Sequence, residues 1–384
     1  MRILTRALPA ACVIAAVTAF AAPAAFASTA AAGRAGAGHD GGGGAVFVQT
    51  GNTAGNAVVA YHRAADGALT LAASYPTGGL GGILAGSVVD HLASQGSLTY
   101  DRRHALLYAV NAGSDTVSVF AVDGDRLALR QVVSSRGTFP VSVTVHGDLV
   151  YVLNALGGGS VAGYREFGGF LFPVPGSVRA LGLDPTATPQ FTHTPGQVAF
   201  TPDGAQLVVT TKANGNDIDV FAVRDGGGLS GTPVVNPEPG TVPFAISFDR
   251  HGHLLIAEAG PNALATFALH EDGTVSLLAS ALTGQAATCW VARAGRFFYV
   301  SNAGSGSVSG YTTGSGGQLG PLGNTATDKG TVDAAAAAGG RFLYVQTGAA
   351  GIVDEFRVGD GGSLTAVGSV TVAGAAGGEG IAAS

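Results

Sequence analysis

The chain has 384 residues, a net charge of -6, only 11% charged residues and 62 glycines. That composition leaves no basic patch for nucleic acid, and too few Lys, Glu and Ala-rich amphipathic stretches for a helical domain. Two cysteines, Cys12 and Cys289, fall on either side of an expected processing site and provide no disulfide for the mature chain.

In chain order, the first element is a secretory signal peptide over residues 1–27. Arg2 and Arg6 precede an Ala/Val-rich apolar run that ends in the small-x-small pattern Ala25, Phe26, Ala27. Residues 28–44, rich in Ala and Gly, cannot bury a core and are read as a flexible leader. No later segment is long and apolar enough for a membrane span, so the expected location is secreted or extracellular.

From residue 45 to the end, one pattern recurs seven times: an apolar strand ending in a polar residue, a Gly/Asn/Ser break, and a second strand carrying an aromatic. The first strands are AVFVQT, LLYAVN, LVYVLN, LVVTT, LLIAE, FFYVSN and FLYVQT, ending at Thr50, Asn111, Asn154, Thr211, Glu258, Asn302 and Thr347. An aromatic follows nine to eleven residues later in every copy: Tyr61, Phe120, Tyr164, Phe221, Phe267, Tyr311 and Phe356. The unit is about 45 residues, with extra length after the first and third copies, and a four-stranded propeller blade needs about 40 to 50. A third strand follows each hairpin and a fourth precedes each anchor strand, except in the first unit. The final residues, 379–384, supply that missing strand. The expected fold is therefore all-β: a seven-bladed β-propeller over residues 45–384, closed by the C-terminal strand completing the first blade. The seven aromatics are read as packing between blades.

Repeats such as TPDGAQLVVTTKANGNDIDVF (residues 201–221) and LLYAVNAGSDTVSVFAVDGDRL (residues 106–127) resemble those of the seven-bladed propeller lactonase family, which includes 6-phosphogluconolactonases and carboxymuconate cyclases. The resemblance covers nearly all of residues 45–384. It implies a polar cleft with His, Arg and acidic side chains at the channel mouth, acting without a metal. A frequent family form has His just before the SPDG strand. Here HTPGQVAFTPDG carries Gly196 and Gln197 there, and His193 is the nearest imidazole.

The anchor positions lie at one end of the ring, which makes Asn111, Asn154 and Asn302 candidate substrate-binding amides, and Lys212, Glu258 and His193 candidate catalytic residues. In that scheme Lys212 polarises a carbonyl and Glu258 acts as general base toward water. The same residues also suit a Lys212–Glu258 salt bridge between neighbouring blades, with the amides capping hairpin turns. His251 and His253 occupy an inner turn rather than a metal motif, Ser160 begins an ordinary strand, and Cys289 is a small buried hydrophobe. The insertion at 165–194 either covers blade edges or overhangs the channel.

The leading expectation is metal-independent hydrolysis of a small sugar-derived or carboxylated lactone at the channel mouth. The alternative is a non-catalytic extracellular propeller that binds a glycan, envelope component or protein. No metal or other cofactor is expected. The partner is a small-molecule lactone or glycan, with no nucleic acid and a monomeric chain.

Overall fold

A computed structural model describes residues 43–337 and 339–384. The signal peptide and all but the last two residues of the leader lie outside the described residues. Gly44, read from the sequence as the end of that leader, instead opens the first strand, Gly44–Gln49.

Seven antiparallel sheets form the blades of a propeller. In blades two to seven the strands run outward from the axis in chain order, starting at Leu98–Asp101, Pro140–His146, Val198–Phe200, Pro243–Phe248, Thr288–Ala294 and Thr331–Ala336. Blade one takes its innermost strand, Ile381–Ala383, from the C-terminus. Val48 pairs with Ile381 and Phe47 with Ala382, while Ser384 N–H donates to the Ala45 carbonyl at 2.8 Å. The closure read from the sequence is thus present, and it leaves no unpaired strand edge at the seam. Blade three departs from the pattern: its outer edge is shared between Phe170–Pro173 and Arg179–Ala180, both pairing with Ser160–Phe167.

The second strand of each blade is sandwiched between two neighbouring blades, so both of its faces are buried. Leu106–Asn111, Phe297–Asn302 and Phe342–Thr347 are buried at every position. This explains why these strands read as unbroken apolar runs, whereas the outermost strands, such as Leu69–Pro76, are largely exposed. Tyr311 packs in a core shared by blades five and six, with Leu255, Leu264 and Trp290.

Glycine is needed where the outer hairpin of one blade turns against the next. Gly67 (φ +101°) lies so close to Phe342 that a Cβ would come within 2.3 Å of its ring. The same hairpins receive a tyrosine hydroxyl from the preceding blade: Tyr151 donates to Gly227 O, Tyr299 to Gly362 O and Tyr344 to Gly67 O, at 2.7 to 2.8 Å. Among the described residues, no helix is long and apolar enough to cross a membrane.

Candidate functional site

The extra length after the first repeat, residues 77–97, crosses the propeller axis at the anchor end. Its span from Asp90 to Gln95 is held from several directions. His91 N–H donates to Gly377 O at 2.8 Å, and Ser94 Oγ to Val141 O of blade three at 2.9 Å. Trp290 Nε1 of blade six donates to Ser94 O at 2.6 Å, and the Gln95 amide both donates to and accepts from the Val291 backbone at 2.9 Å. These bonds satisfy the backbone of a loop that would otherwise bury unpaired polar groups. The anchor-end mouth is therefore plugged rather than open.

Lys212 is the fourth blade's contribution to this plug. It is fully buried and has φ +52°, a left-handed conformation uncommon outside glycine, which sets its course at the strand end. Its Nζ donates to Ala93 O at 2.6 Å, Phe191 O at 2.7 Å and Thr194 Oγ1 at 3.2 Å, and lies 5.2 Å from the centre of the Phe244 ring. Burial lowers the ammonium to about 7, opposed by the Asp90 carboxylate. Phe191 and Thr194 belong to the end of the 165–194 insertion. Its first half forms blade-edge strand with Phe167, Phe170 and Phe172 exposed, while its second half docks onto the plug, where Gln190 Oε1 accepts from Ala85 N–H at 3.0 Å.

Asp90 of the plug belongs to a buried set of three carboxylates, with Asp333 and Glu379. Asp90 accepts from Leu92 N–H at 2.8 Å and Ser94 N–H at 3.0 Å, yet burial raises it to about 6. Asp333 is raised to about 7, again by burial, and Glu379 well above its ordinary value, by burial and then by the charges of Asp333 and Asp90. Glu379 Oε2 accepts from Ser94 Oγ at 3.2 Å, while its Oε1 has no hydrogen-bond partner among the described residues. Three mutually interacting buried carboxylates with one ammonium cannot all be ionised cheaply, so protons are retained near neutral pH. Cys289, also in this region, is pushed up to about 12 by burial and stays a thiol.

The other candidates read from the sequence are placed as follows. Glu258 ends the strand Leu254–Glu258 and is 5% exposed, and burial raises it to about 7 with a further contribution from Glu238. Among the described residues it forms no ion pair with Lys212, whose charge neighbour is Asp90. His193 turns its Nδ1 to Thr192 Oγ1 at 2.8 Å and Pro189 O at 3.0 Å, on the rim of the insertion. The amides are interior to the blades. Asn111 Nδ2 donates to Ser118 Oγ at 2.8 Å, Asn154 Nδ2 to Ser135 O at 3.2 Å, and Asn302 Oδ1 accepts from Thr288 Oγ1 at 2.6 Å. All three are fully buried. Lys212 thus meets neither Glu258 nor the amides. Its hydrogen-bond partners are Ala93, Phe191 and Thr194, and the charge that acts on it is that of Asp90, which lies in a loop with no repeat counterpart and could be suspected only from the excess length of that unit. Asp333 and Glu379 were visible as the polar residues of otherwise quiet inner strands.

At the opposite end of the inner strands lie two open depressions. A cavity of about 500 Å³ is lined by the inner strands of blades two to four, including Thr99, Val143 and Gln197, with Arg102 and Arg103 at its edge. A second, of about 550 Å³, shares Arg102 and adds Arg293. The first reaches inward to Gly96, next to Ser97, whose hydroxyl donates to Glu379 O at 2.8 Å.

The solved structures similar to this one include a periplasmic gluconolactonase of Pseudomonas aeruginosa (19% identity, 89% of this chain and 99% of that one, TM-score 0.70) and a protein from Lactobacillus plantarum (18% identity, 89% and 99%, TM-score 0.70). Virginiamycin B lyase from Staphylococcus aureus shares the fold more distantly (13% identity, 76% and 89%, TM-score 0.54). No curated protein matches significantly in sequence. The family described as "Lactonase, 7-bladed beta-propeller" matches residues 87–377, a span that runs from the plug to the seam, and the chain belongs to that family.

Proposed function

We propose that the protein hydrolyses a small lactone on the propeller axis, without a metal in the reaction, and that the expected signal peptide directs it out of the cytoplasm. The carrying observation is the buried carboxylate set Asp90, Asp333 and Glu379, of which Asp90 feels the charge of the buried Lys212 ammonium. Ester-ring opening needs a base for water and an acid for the departing ring oxygen, both active near neutral pH, and carboxyl groups raised to about 6 and 7 meet that need. An ionised Asp90 takes a proton as water adds to the lactone carbonyl. The Asp333–Glu379 pair returns a proton to the ring oxygen as the C–O bond breaks, and the product is a hydroxy acid. Arg102, Arg103 and Arg293 at these depressions suit an entering substrate that carries a carboxylate or phosphate. The sequence reading has Lys212 polarise the carbonyl and Glu258 act as base; in this scheme Lys212 instead holds the plug through Ala93, Phe191 and Thr194, and Asp90 takes the base's part.

The non-catalytic alternative draws support from the plug itself, since Lys212 already spends its three donors on Ala93, Phe191 and Thr194. Proton release from a panel of sugar-derived and carboxylated lactones, with Asp333→Asn and Glu379→Gln alongside, separates the two. Turnover that falls at least 100-fold in folded variants supports hydrolysis on the axis. No turnover above the spontaneous rate on any member of the panel overturns it in favour of a binding propeller.

A further inference from the structure

Away from the axis, blades two and three meet at a cluster that the lactone chemistry does not use. His104 follows the inner strand of blade two, Asp148 sits in the first turn of blade three, and Glu166 lies on that blade's third strand. His104 Nδ1 donates to Asp101 Oδ2 at 2.6 Å, which orients the ring and turns Nε2 toward the neighbouring blade. Nε2 faces Asp148 Oδ1 at 3.4 Å and Glu166 Oε2 at 3.5 Å, and one atom from each of the three residues lies within 4.8 Å of the others. Among the described residues this is the only such trio.

We propose that His104 Nε2, Asp148 and Glu166 bind a divalent cation of the zinc type that ties blade two to blade three. The spacing suits it: a tetrahedral ion about 2.0–2.1 Å from each ligand holds its ligand atoms roughly 3.3–3.4 Å apart. The Asp101–His104 bond is the carboxylate support that metal-bound imidazoles ordinarily have. Glu166 is 6% exposed and is oriented by Gly169 N–H, which donates to its Oε1 at 2.7 Å, leaving Oε2 for the cation. Its own N–H donates to Asp148 O at 2.8 Å, so the two carboxylates are set by one backbone contact. Asp148 is half exposed, which leaves a side open for a water ligand.

An independent observation points to the same place. Tyr108 occupies the position in its strand that Tyr151, Tyr299 and Tyr344 hold in theirs, and each of those donates its hydroxyl to an outer-hairpin carbonyl of the next blade. In blade three that hairpin is cut to a two-residue turn, Gly168–Gly169, and the acceptor is missing. The Tyr108 hydroxyl is fully buried and, among the described residues, without a hydrogen-bond partner, and the Asp101 and Glu166 charges act on it. Three carboxylates around one imidazole, with no Lys or Arg ion-paired to them among the described residues, leave negative charge that a dication neutralises.

Metal-stripped full-length protein titrated with Zn²⁺ by calorimetry should bind one equivalent and gain in melting temperature, and Co²⁺ should give the intense visible spectrum of a tetrahedral site. Asp148→Asn, at an exposed turn, and Glu166→Gln should each weaken Zn²⁺ at least tenfold. His253→Ala serves as the control, because His253 has the same kind of support, its Nδ1 2.8 Å from Asp249 Oδ2, but is not part of a three-residue group. Failure of wild-type protein to bind Zn²⁺ or Co²⁺ stoichiometrically, or binding unchanged in both Asp148→Asn and Glu166→Gln, overturns the site. Lactone turnover does not enter either readout.

Discussion

The Lys212 ammonium donates to the Ala93 carbonyl across 2.6 Å, joining the end of a blade-four strand to a loop that arises between blades one and two. This contact, with those to Phe191 and Thr194, locks two separate insertions over the axis. Lys212→Met keeps the aliphatic volume but strands three buried acceptors, so it should destabilise the protein by about 3 kcal/mol. Chemical denaturation checks this, and native-state proteolysis should show new cleavage within residues 84–95.

Stability should rise as the pH is lowered from about 7 to 5. Asp90, Asp333, Glu379, Asp219 and Glu258 all have folded pKa values above their ordinary ones, with burial as the first cause. Between the two values the native state holds more protons than the unfolded chain. Their contribution is therefore complete below about pH 4; for Asp90, Asp333, Asp219 and Glu258 it is lost as the pH climbs through 6 to 7, and Glu379 loses its own in the same direction. Lys212, lowered to about 7, acts in the opposite sense above that point, its contribution recovering toward pH 10.5. Melting temperatures across pH 4.5–9 should pass through a minimum near 7, and Asp333→Asn should flatten the acidic limb.

Deleting residues 379–384 should abolish the cooperative fold. The strand Ile381–Ala383 pairs with Gly44–Gln49, and Gln49 N–H also donates to Gly380 O at 2.8 Å. Its loss exposes an inner strand edge and opens the ring at its only join between chain ends. Size-exclusion chromatography should show aggregation, and far-UV melting should lose its sharp transition.

The interblade tyrosines should separate into two groups. Tyr344→Phe removes a donor to Gly67 O and should cost about 1 kcal/mol. Tyr108→Phe removes a buried hydroxyl that has no partner among the described residues, so in metal-free protein it should be neutral or slightly stabilising. Denaturant midpoints of the two variants test the contrast directly.

Repetition made the fold legible. Seven anchor strands with an aromatic at near-constant distance can be satisfied only if each sheet buries its faces against two like neighbours, and the absent inner strand of the first unit required the C-terminus to supply it. The amides at Asn111, Asn154 and Asn302 were legible as recurring positions. Whether a strand-end amide turns outward to the mouth or inward to a hairpin depends on hydrogen-bond partners such as Ser118, Ser135 and Thr288, which periodicity does not reveal.

The sequence by itself determined the blade number, the order of strands within each blade, the seam at residues 379–384 and the interblade role of the aromatics, because these follow from local periodicity and from the need to pair every edge. Only the tertiary structure decided that residues 77–97 plug the anchor end, that Lys212 bonds the Ala93 and Phe191 carbonyls rather than pairing with Glu258, and that His104 faces Asp148 and Glu166. These meetings bring together residues from different repeats, or from insertions that obey no repeat. They are set by closure of the ring, which places distant residues side by side at a spacing that no single unit encodes.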